Sequence, residues 1–254
     1  MSDRDFAATL AKGLDVLSCF EYGAPALTLP EITRRSGLDR AVVRRLCLTL
    51  IRCGYLEEAA TGLRLAPRVL TLAGGYLGRL EIGRVVQPIL RHAAEKLDME
   101  VALATRDRLQ AVYVDRAAPA SARVTLGFGI GSTLPLLHTA VGRMLLARSA
   151  REVIAEALAT RPTRPYSEAT EMDPDRLTAA IETARDQGYC IARDEFELGA
   201  AGVAVPVGAL GQTPFVLATT ASVHAFDDPS RLDRVLDILR QSALGIGRIG
   251  HERS

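Results

Sequence analysis

The feature that most constrains this chain is a set of closely spaced helix boundaries near its N-terminus. Thr28 and Glu31 have the spacing of a capping box, in which the threonine oxygen accepts a hydrogen bond from the Glu31 amide and the carboxylate reaches back. Gly37 follows the helix that this box begins, and glycine supplies the left-handed conformation of a tight turn. Asp39 then caps a further helix that is expected to end near Cys53. Two helices joined by such a turn are typical of a helix-turn-helix.

The second of these helices divides its apolar and basic residues between two faces. Val43, Leu46, Cys47 and Leu50 cluster on one face, and arginines occupy the other. Between positions 34 and 52 there are six arginines and one acidic residue, a pattern that favours binding to double-stranded DNA. The predicted contacts are Arg40, Ala41, Arg44 and Arg45 in the major groove and Arg34, Arg35 and Arg52 on the phosphates. On charge alone, a solvated helix face fits equally well. A surface for an acidic protein partner is a further alternative.

The residues after Gly54 predict a short hairpin, because apolar and polar residues alternate in 55–58 and again in 63–65. This hairpin would be the wing that completes a winged helix-turn-helix domain over residues 1–66. Arg64 is a candidate for contact with the flanking phosphates. The alternative is that so short a hairpin only closes the core.

The rest of the chain predicts an α+β sensor domain. Residues 67–80 form a helical linker whose apolar surface is too broad for an isolated helix, so it is expected to pack on a second subunit. Residues 81–254 alternate between the two kinds of element. Strands are expected at 101–105, 111–114, 123–126, 189–192, 202–207 and 215–221, and helices at 82–97, 138–148, 151–159, 175–187 and 229–249.

Several classes of protein are disfavoured by what the sequence lacks. No stretch approaches the roughly 18 apolar residues that span a bilayer, so we expect a soluble, cytoplasmic protein without a membrane partner. The four cysteines lack zinc spacings and are expected to be buried thiols; we predict neither metal nor cofactor. The glycine run at 127–131 lacks a phosphate-loop ending and is interpreted as a connecting loop. An enzyme using His138, Asp194 or His224 is the weaker alternative, since no nucleophile elbow or paired carboxylates are recognisable.

The order of short motifs along the chain resembles the IclR family of transcription regulators over nearly its whole length. In the N-terminal domain the matching residues are Ser36-Gly37-Leu38-Asp39, Arg45-Leu46, Leu50, Gly54-Tyr55 and the junction from Leu65 to Leu70. In the sensor domain they are Leu134-Pro135, Thr139, Gly142-Arg143, Leu145-Leu146-Ala147, Gln187-Gly188-Tyr189, Glu195, Gly199 and Ala204-Val205-Pro206. The sequence of residues 41–50 is most similar to the branch of the family that governs aromatic-acid catabolism through protocatechuate and β-ketoadipate. The resemblance implies a GAF-like sensor, a homodimer or dimer of dimers, and a small-molecule effector.

The resemblance also implies which residues line the effector pocket. Carried over by position, they are His138, Thr139, Ala140, Val141, Arg193, Asp194, Gly202 and Thr219. The branch tends to have a small residue at position 138 and an aspartate at 193, so the histidine and arginine here are departures. Because helix-start amides favour an anion, and His138 or Arg193 would strengthen that preference, we expect a carboxylate effector. The alternative is that Arg193 is a surface loop residue and His138 a satisfied helix-end residue.

Overall fold

The computed structural model describes residues 6–20, 26–79, 82–121, 128–210 and 213–251, and its contacts divide the chain into a unit of Met1–Arg79 and a unit of Leu80–Ser254. Nearly all of the predicted linker, 67–80, therefore groups with the first unit, and its role as a separate linker stays a prediction. The strand expected at 123–126 lies outside the described residues.

The first unit has the element order of a winged helix-turn-helix. Its elements are α1 (Ala8–Ser18), α2 (Leu29–Ser36), α3 (Arg40–Arg52), β1 (Leu56–Ala59), β2 (Gly62–Leu65) and α4 (Val69–Arg79). The two helices of the motif begin and end as the sequence predicts. Thr28 and Glu31 form the capping box, Gly37 adopts φ 66°, and Asp39 accepts a hydrogen bond from the Ala41 amide at 2.8 Å. Their apolar sides meet α1 in a core that contains Val16, Ile32, Val43 and Leu56.

The wing is a two-stranded antiparallel hairpin with a third strand segment beside it. Leu56 pairs with Leu65, and Leu27 exchanges two backbone hydrogen bonds with Leu63, each 2.8 Å long. Gly62 is required at this junction, because a Cβ there would lie 2.4 Å from the carbonyl oxygen of Leu27. The hairpin is thereby tied to the chain that leads into α2.

The second unit is a six-stranded antiparallel sheet with helices on both faces, in the strand order β5-β4-β3-β8-β7-β6. Its strands are β3 (Val101–Asp107), β4 (Gln110–Ala117), β5 (Thr133–Pro135), β6 (Cys190–Arg193), β7 (Ala200–Leu210) and β8 (Thr213–Ser222). Its helices are a π-helix (Ile82–Val86), α5 (Gln87–Leu97), α6 (Ala140–Ala147), α7 (Arg151–Ala159), α8 (Pro174–Gln187), a 3₁₀ helix (Val223–Phe226) and α9 (Pro229–His251).

Successive side chains along each strand point to opposite faces of the sheet, so each side chain packs against the helices on its own face. Ala102 and Ala104 of β3, with Val216 and Ala218 of β8, belong to the core that also contains residues of α6, α7 and α8. Helices α5 and α9 pack against each other; α5 also packs on β3 and β4, and α9 on β7 and β8. The two faces of this sheet thus carry different helices, and a side chain's position along its strand fixes the layer that it enters.

Four details differ from the sequence-based expectations. The helix expected from residue 82 begins as a π-helix, and the helix expected from His138 begins at Ala140. Strand β5 was not predicted. Cys53 is exposed, although Cys19, Cys47 and Cys190 are buried as expected. None of the described helices combines the length and the apolar character needed to cross a membrane.

Candidate nucleic-acid interface and effector site

The arginine surface of α2 and α3 is exposed in the structure. Val43, Leu46 and Cys47 bury one side of α3, which leaves the predicted groove residues on its other side in solvent. The side chains of five arginines on this surface make no hydrogen bond or ion pair with any described residue: Arg34, Arg40, Arg44, Arg45 and Arg52. Unpaired guanidinium groups on a rigid helix are the donors that phosphates and base edges accept.

Two of the predicted DNA contacts already have a partner within the first unit. Arg35 donates to the carbonyl oxygen of Cys19 at 2.9 Å, across the end of α1. Arg64 forms a cross-strand ion pair of 2.7 Å with Glu57. Both side chains remain exposed, so each would have to share its guanidinium between this partner and a phosphate.

A cleft in the second unit, here called the effector cavity, has a volume of about 60 Å³ and opens to solvent. It lies among β4, β6, β7, β8, the start of α6 and the turn after β6. Six of the eight predicted effector residues line it: His138, Thr139, Ala140, Val141, Asp194 and Gly202. The structure therefore brings together residues that are more than sixty positions apart in the chain.

Helix α6 presents two unpaired amides at the effector cavity. Thr139 caps the helix by accepting a hydrogen bond from the Gly142 amide at 3.0 Å while donating to the Pro135 carbonyl at 2.8 Å. Among the described residues, the amides of Ala140 and Val141 have no acceptor. Both residues line the effector cavity, so the start of α6 supplies two donors and the positive end of a helix dipole to a ligand there.

Arg193 and Thr219 do not line the effector cavity, which corrects their assignment as effector residues. Arg193 instead donates to the carbonyl oxygens of Val223 and Phe226 at 2.6 and 2.8 Å, and so holds the 3₁₀ helix. Thr219 donates to the Glu100 carbonyl at 2.7 Å. Each is one residue away from a cavity residue on the same segment, Asp194 and Thr220 respectively. Successive residues of a strand point to opposite faces, so an offset of one position removes a side chain from the cavity.

An ion pair that the sequence analysis did not identify supports the wall of the effector cavity. Both terminal nitrogens of Arg143, a side chain that is almost fully buried, donate to the two carboxylate oxygens of Glu195 at 2.6 Å. Burial by itself raises the pKa of Glu195, but the adjacent His138 ring and Arg143 guanidinium outweigh it, and the net pKa is lowered. The His138 Nδ1 lies 3.8 Å from Glu195 Oε2, beyond hydrogen-bond range, so the bidentate arginine is the stronger cause.

Aromatic rings form the remaining wall. Tyr113, Phe128 and Phe196 line the effector cavity, with ring centroids 6.2 Å apart for the first pair and 6.3 Å for the second. Their contribution is not readable from the sequence, because they come from β4, from the loop before β5 and from the turn after β6. The rings provide an apolar surface on which a planar ligand can lie.

Comparison with known sequences assigns both units. The "IclR helix-turn-helix domain" matches residues 9–60, and "Bacterial transcriptional regulator IclR C-terminal" matches residues 74–248. The chain belongs to the IclR family. The α+β fold class, with its winged helix-turn-helix and GAF-like sensor, is thereby confirmed, and the molecule is a member of a family of bacterial transcription regulators.

Two curated relatives of this IclR-family chain align over most of its length. The Pca regulon regulatory protein of Pseudomonas putida is 32% identical over 93% of this chain and 82% of its own. The p-hydroxybenzoate hydroxylase transcriptional activator of Acinetobacter baylyi is 29% identical over 94% of this chain and 90% of its own. These relatives are consistent with the branch that the sequence resembles.

Two solved structures resemble the whole chain. A putative IclR transcriptional regulator from Silicibacter has a TM-score of 0.85 at 26% identity, covering 95% of this chain and 96% of its own. An IclR homologue from Microbacterium hydrocarbonoxydans, complexed with 4-hydroxybenzoate, has a TM-score of 0.78 at 26% identity. The match covers 97% of this chain and 100% of that homologue.

Proposed function

We propose that this IclR-family protein regulates genes of aromatic-acid or related carboxylate catabolism, by binding operator DNA through the surface of α2 and α3 and responding to an acid in the effector cavity. The observation that carries the DNA-binding part is the row of five exposed, unpaired arginines on helices whose other faces form the core. Arg40, Arg44 and Arg45 are proposed for the groove, and the neighbouring arginines for phosphates.

The effector part of the proposal is supported by the chemistry of the effector cavity. The free amides of Ala140 and Val141 suit a carboxylate, and the rings of Tyr113, Phe128 and Phe196 suit an aromatic body. The regulators of Pseudomonas and Acinetobacter, and the homologue complexed with 4-hydroxybenzoate, support the same class of ligand. We propose that the ligand is released unchanged, so the protein is a sensor and not an enzyme.

We further propose that the protein acts in the cytoplasm as a homodimer or dimer of dimers. Leu70 and Leu72 of α4 are 71% and 59% exposed, and Tyr76 on the same helix is also exposed, which is a large apolar surface for a helix in solvent. A second copy of the chain would cover it and place two recognition helices on the half-sites of one operator. Effector binding would shift the population of dimer arrangements through the segment of residues 68–97.

The test is binding to the DNA upstream of the protein's own gene, at one fixed salt concentration and with random DNA as competitor. Protocatechuate, 4-hydroxybenzoate and β-ketoadipate are added in turn. We expect a complex that resists competition, because specific binding is about 10³–10⁷ times tighter than non-specific binding, and we expect one acid to change its affinity. Binding without preference over random DNA would contradict the proposal and favour a basic surface for an acidic partner.

A further inference from the structure

A second cavity lies beside the effector cavity in the same unit. It has a volume of about 400 Å³, which is within the size range of small-molecule sites. Its walls are the C-terminal end of α7, the segment that follows it, strand β5 and the turn between β3 and β4. Residues that line this second cavity and not the effector cavity include Leu109, Thr160, Arg161, Pro162 and Tyr166.

A single layer of side chains separates the two cavities. Leu134, His138 and Phe196 line both of them. The ring of Phe196 contacts Tyr166, which lines the second cavity, at a centroid distance of 5.2 Å, and Phe128, which lines the effector cavity, at 6.3 Å. A ligand in the second cavity would therefore share a wall with the effector without sharing its space.

The imidazole of His138 in this wall is a buried polar group without a hydrogen bond. The residue is 1% exposed, and neither of its ring nitrogens has a hydrogen-bond partner. Leaving a buried polar group unpaired costs about 1–3 kcal/mol. Both nitrogens are closed off from either cavity in this structure, so His138 serves here only as part of the wall that the two cavities share.

The two cavities differ in charge. Among the described residues, the effector cavity is lined by three carboxyl groups, those of Asp194, Glu195 and Glu197, and by no lysine or arginine. The second cavity has no carboxyl group in its described lining and one permanent cation, Arg161. That guanidinium is exposed, donates one hydrogen bond of 2.9 Å to the Leu158 carbonyl, and has no described ion-pair partner. Its remaining donors are available to an anion at the mouth.

We propose that the second cavity is a separate binding site for a small aromatic monocarboxylate. The ring of the ligand would lie against Tyr166 and Phe196, and its carboxylate would face Arg161. Each subunit would then bind two acids on the two sides of His138. This site is independent of the arginine surface on α2 and α3, so it goes beyond the proposed regulation of DNA binding.

The experiment counts bound ligand by equilibrium dialysis of the full chain, without DNA, using radiolabelled 4-hydroxybenzoate as the probe. We expect two molecules per chain. Arg161→Gln should weaken one class of site by about tenfold or more, because it removes a charge-assisted hydrogen bond. Thr160→Phe should abolish the same class by filling the mouth from an exposed position. Arg164→Gln is the matched control, since Arg164 is an exposed arginine on the same segment that does not line the second cavity.

The number of ligand molecules bound per chain distinguishes the possible outcomes. A count that neither Arg161→Gln nor Thr160→Phe changes overturns the proposal, and so does the absence of any binding. If wild type binds one molecule per chain and both variants bind none, the second cavity is the binding site and the effector cavity does not bind this acid. Circular dichroism tests whether Thr160→Phe is folded. If that variant is unfolded, the binding measured for Arg161→Gln alone tests the second site. A chain that binds no specific DNA would contradict the proposed function and leave this count unaffected.

Discussion

Arg44 is the residue at which DNA recognition is most directly testable, because its side chain is exposed and has no described partner. Arg44→Ala should leave folding nearly unchanged, since surface substitutions of this kind are close to neutral. If Arg44 reads a base edge, the substitution costs about 1–3 kcal/mol on the operator and much less on random DNA. Fluorescence anisotropy with both DNAs at one salt concentration measures the difference.

Two further variants serve as a comparison and a control for Arg44→Ala. Arg52→Ala, proposed as a phosphate contact, should weaken binding to operator and random DNA by similar factors. Arg164→Ala removes the same type of side chain from the second unit and should change neither affinity. An equal loss on both DNAs for Arg44→Ala would reassign that residue to the backbone of the duplex.

The Arg143–Glu195 pair predicts a pH dependence of stability. The pKa of Glu195 is lowered in the folded protein, so its stabilising contribution is complete above its ordinary value of 4.5 and is lost as the pH falls through the folded pKa. Glu195→Gln leaves the Arg143 charge buried without its anion, which costs about 3–5 kcal/mol at pH 7. The gap in unfolding free energy between wild type and variant should shrink as the pH falls.

Urea unfolding followed by circular dichroism at neutral and at acidic pH measures this gap. Glu197→Gln is the control, because Glu197 is an exposed carboxylate two positions away with no described ion pair. A gap that stays constant from pH 7 down to the acid transition would mean that Glu195 does not titrate as a partner of Arg143.

At single positions the sequence predicted the exposed arginine surface of α2 and α3 better than the lining of the effector cavity. Arg40, Arg44 and Arg45 follow from helical periodicity within one helix, a local pattern. Arg193 and Thr219 depended on strand register between segments far apart in the chain, where an error of one residue reverses the face. The pairing of Arg143 with Glu195, 52 positions later, has no local signal at all.

At the scale of elements, Gly142 controls how closely α6 approaches the segment before it. A Cβ at this position would lie 2.3 Å from both the Cα and the carbonyl oxygen of Leu136. Gly142→Ala must therefore displace the start of α6, at a cost of about 1–3 kcal/mol. Because Ala140 and Val141 belong to that start, we expect acid binding in the effector cavity to be lost as well.

Thermal unfolding and calorimetric titration with 4-hydroxybenzoate measure both effects of Gly142→Ala. The matched control is Gly13→Ala in α1, where the nearest atom to a Cβ would be Leu46 Cδ2 at an ordinary contact distance of 3.9 Å. That substitution should stabilise the helix by up to about 1 kcal/mol, because alanine has the higher helix propensity. If Gly142→Ala behaved like Gly13→Ala, close packing of α6 would not be what shapes the effector cavity.

Elements with strong local signals were predicted well, and those without were not. The capping box at Thr28 and the caps at Gly37 and Asp39 set the boundaries of α2 and α3 through contacts within a few residues of the chain. Strand β5, only three residues long, is stabilised by its pairing with β4, and that pairing is not encoded in its own three residues. The π-helix at Ile82–Val86 likewise has no distinct periodicity over five residues.

At the scale of the whole molecule, the charges of the sequence separate by function. Residues 1–80 carry eleven basic and eight acidic side chains, and residues 81–254 carry twenty and twenty-two. A net charge of +3 therefore lies on the DNA-binding part and −2 on the sensor. This division favours approach of the first part to DNA and weak repulsion of the second from it.

The proposed dimer gives the last prediction, because DNA binding by two recognition helices depends on it. Leu70→Glu places a charge on the exposed apolar surface of α4. In a monomer this change would be nearly neutral, whereas in a dimer it would desolvate a carboxylate in the interface and dissociate the subunits. Sedimentation velocity should show a dimer for wild type and a monomer for the variant, with operator affinity falling in parallel. Leu244→Glu on α9, at a leucine that is also exposed, is the matched control. If Leu244→Glu dissociates the protein and Leu70→Glu does not, the subunits meet through the sensor, and the exposed surface of α4 must have another partner.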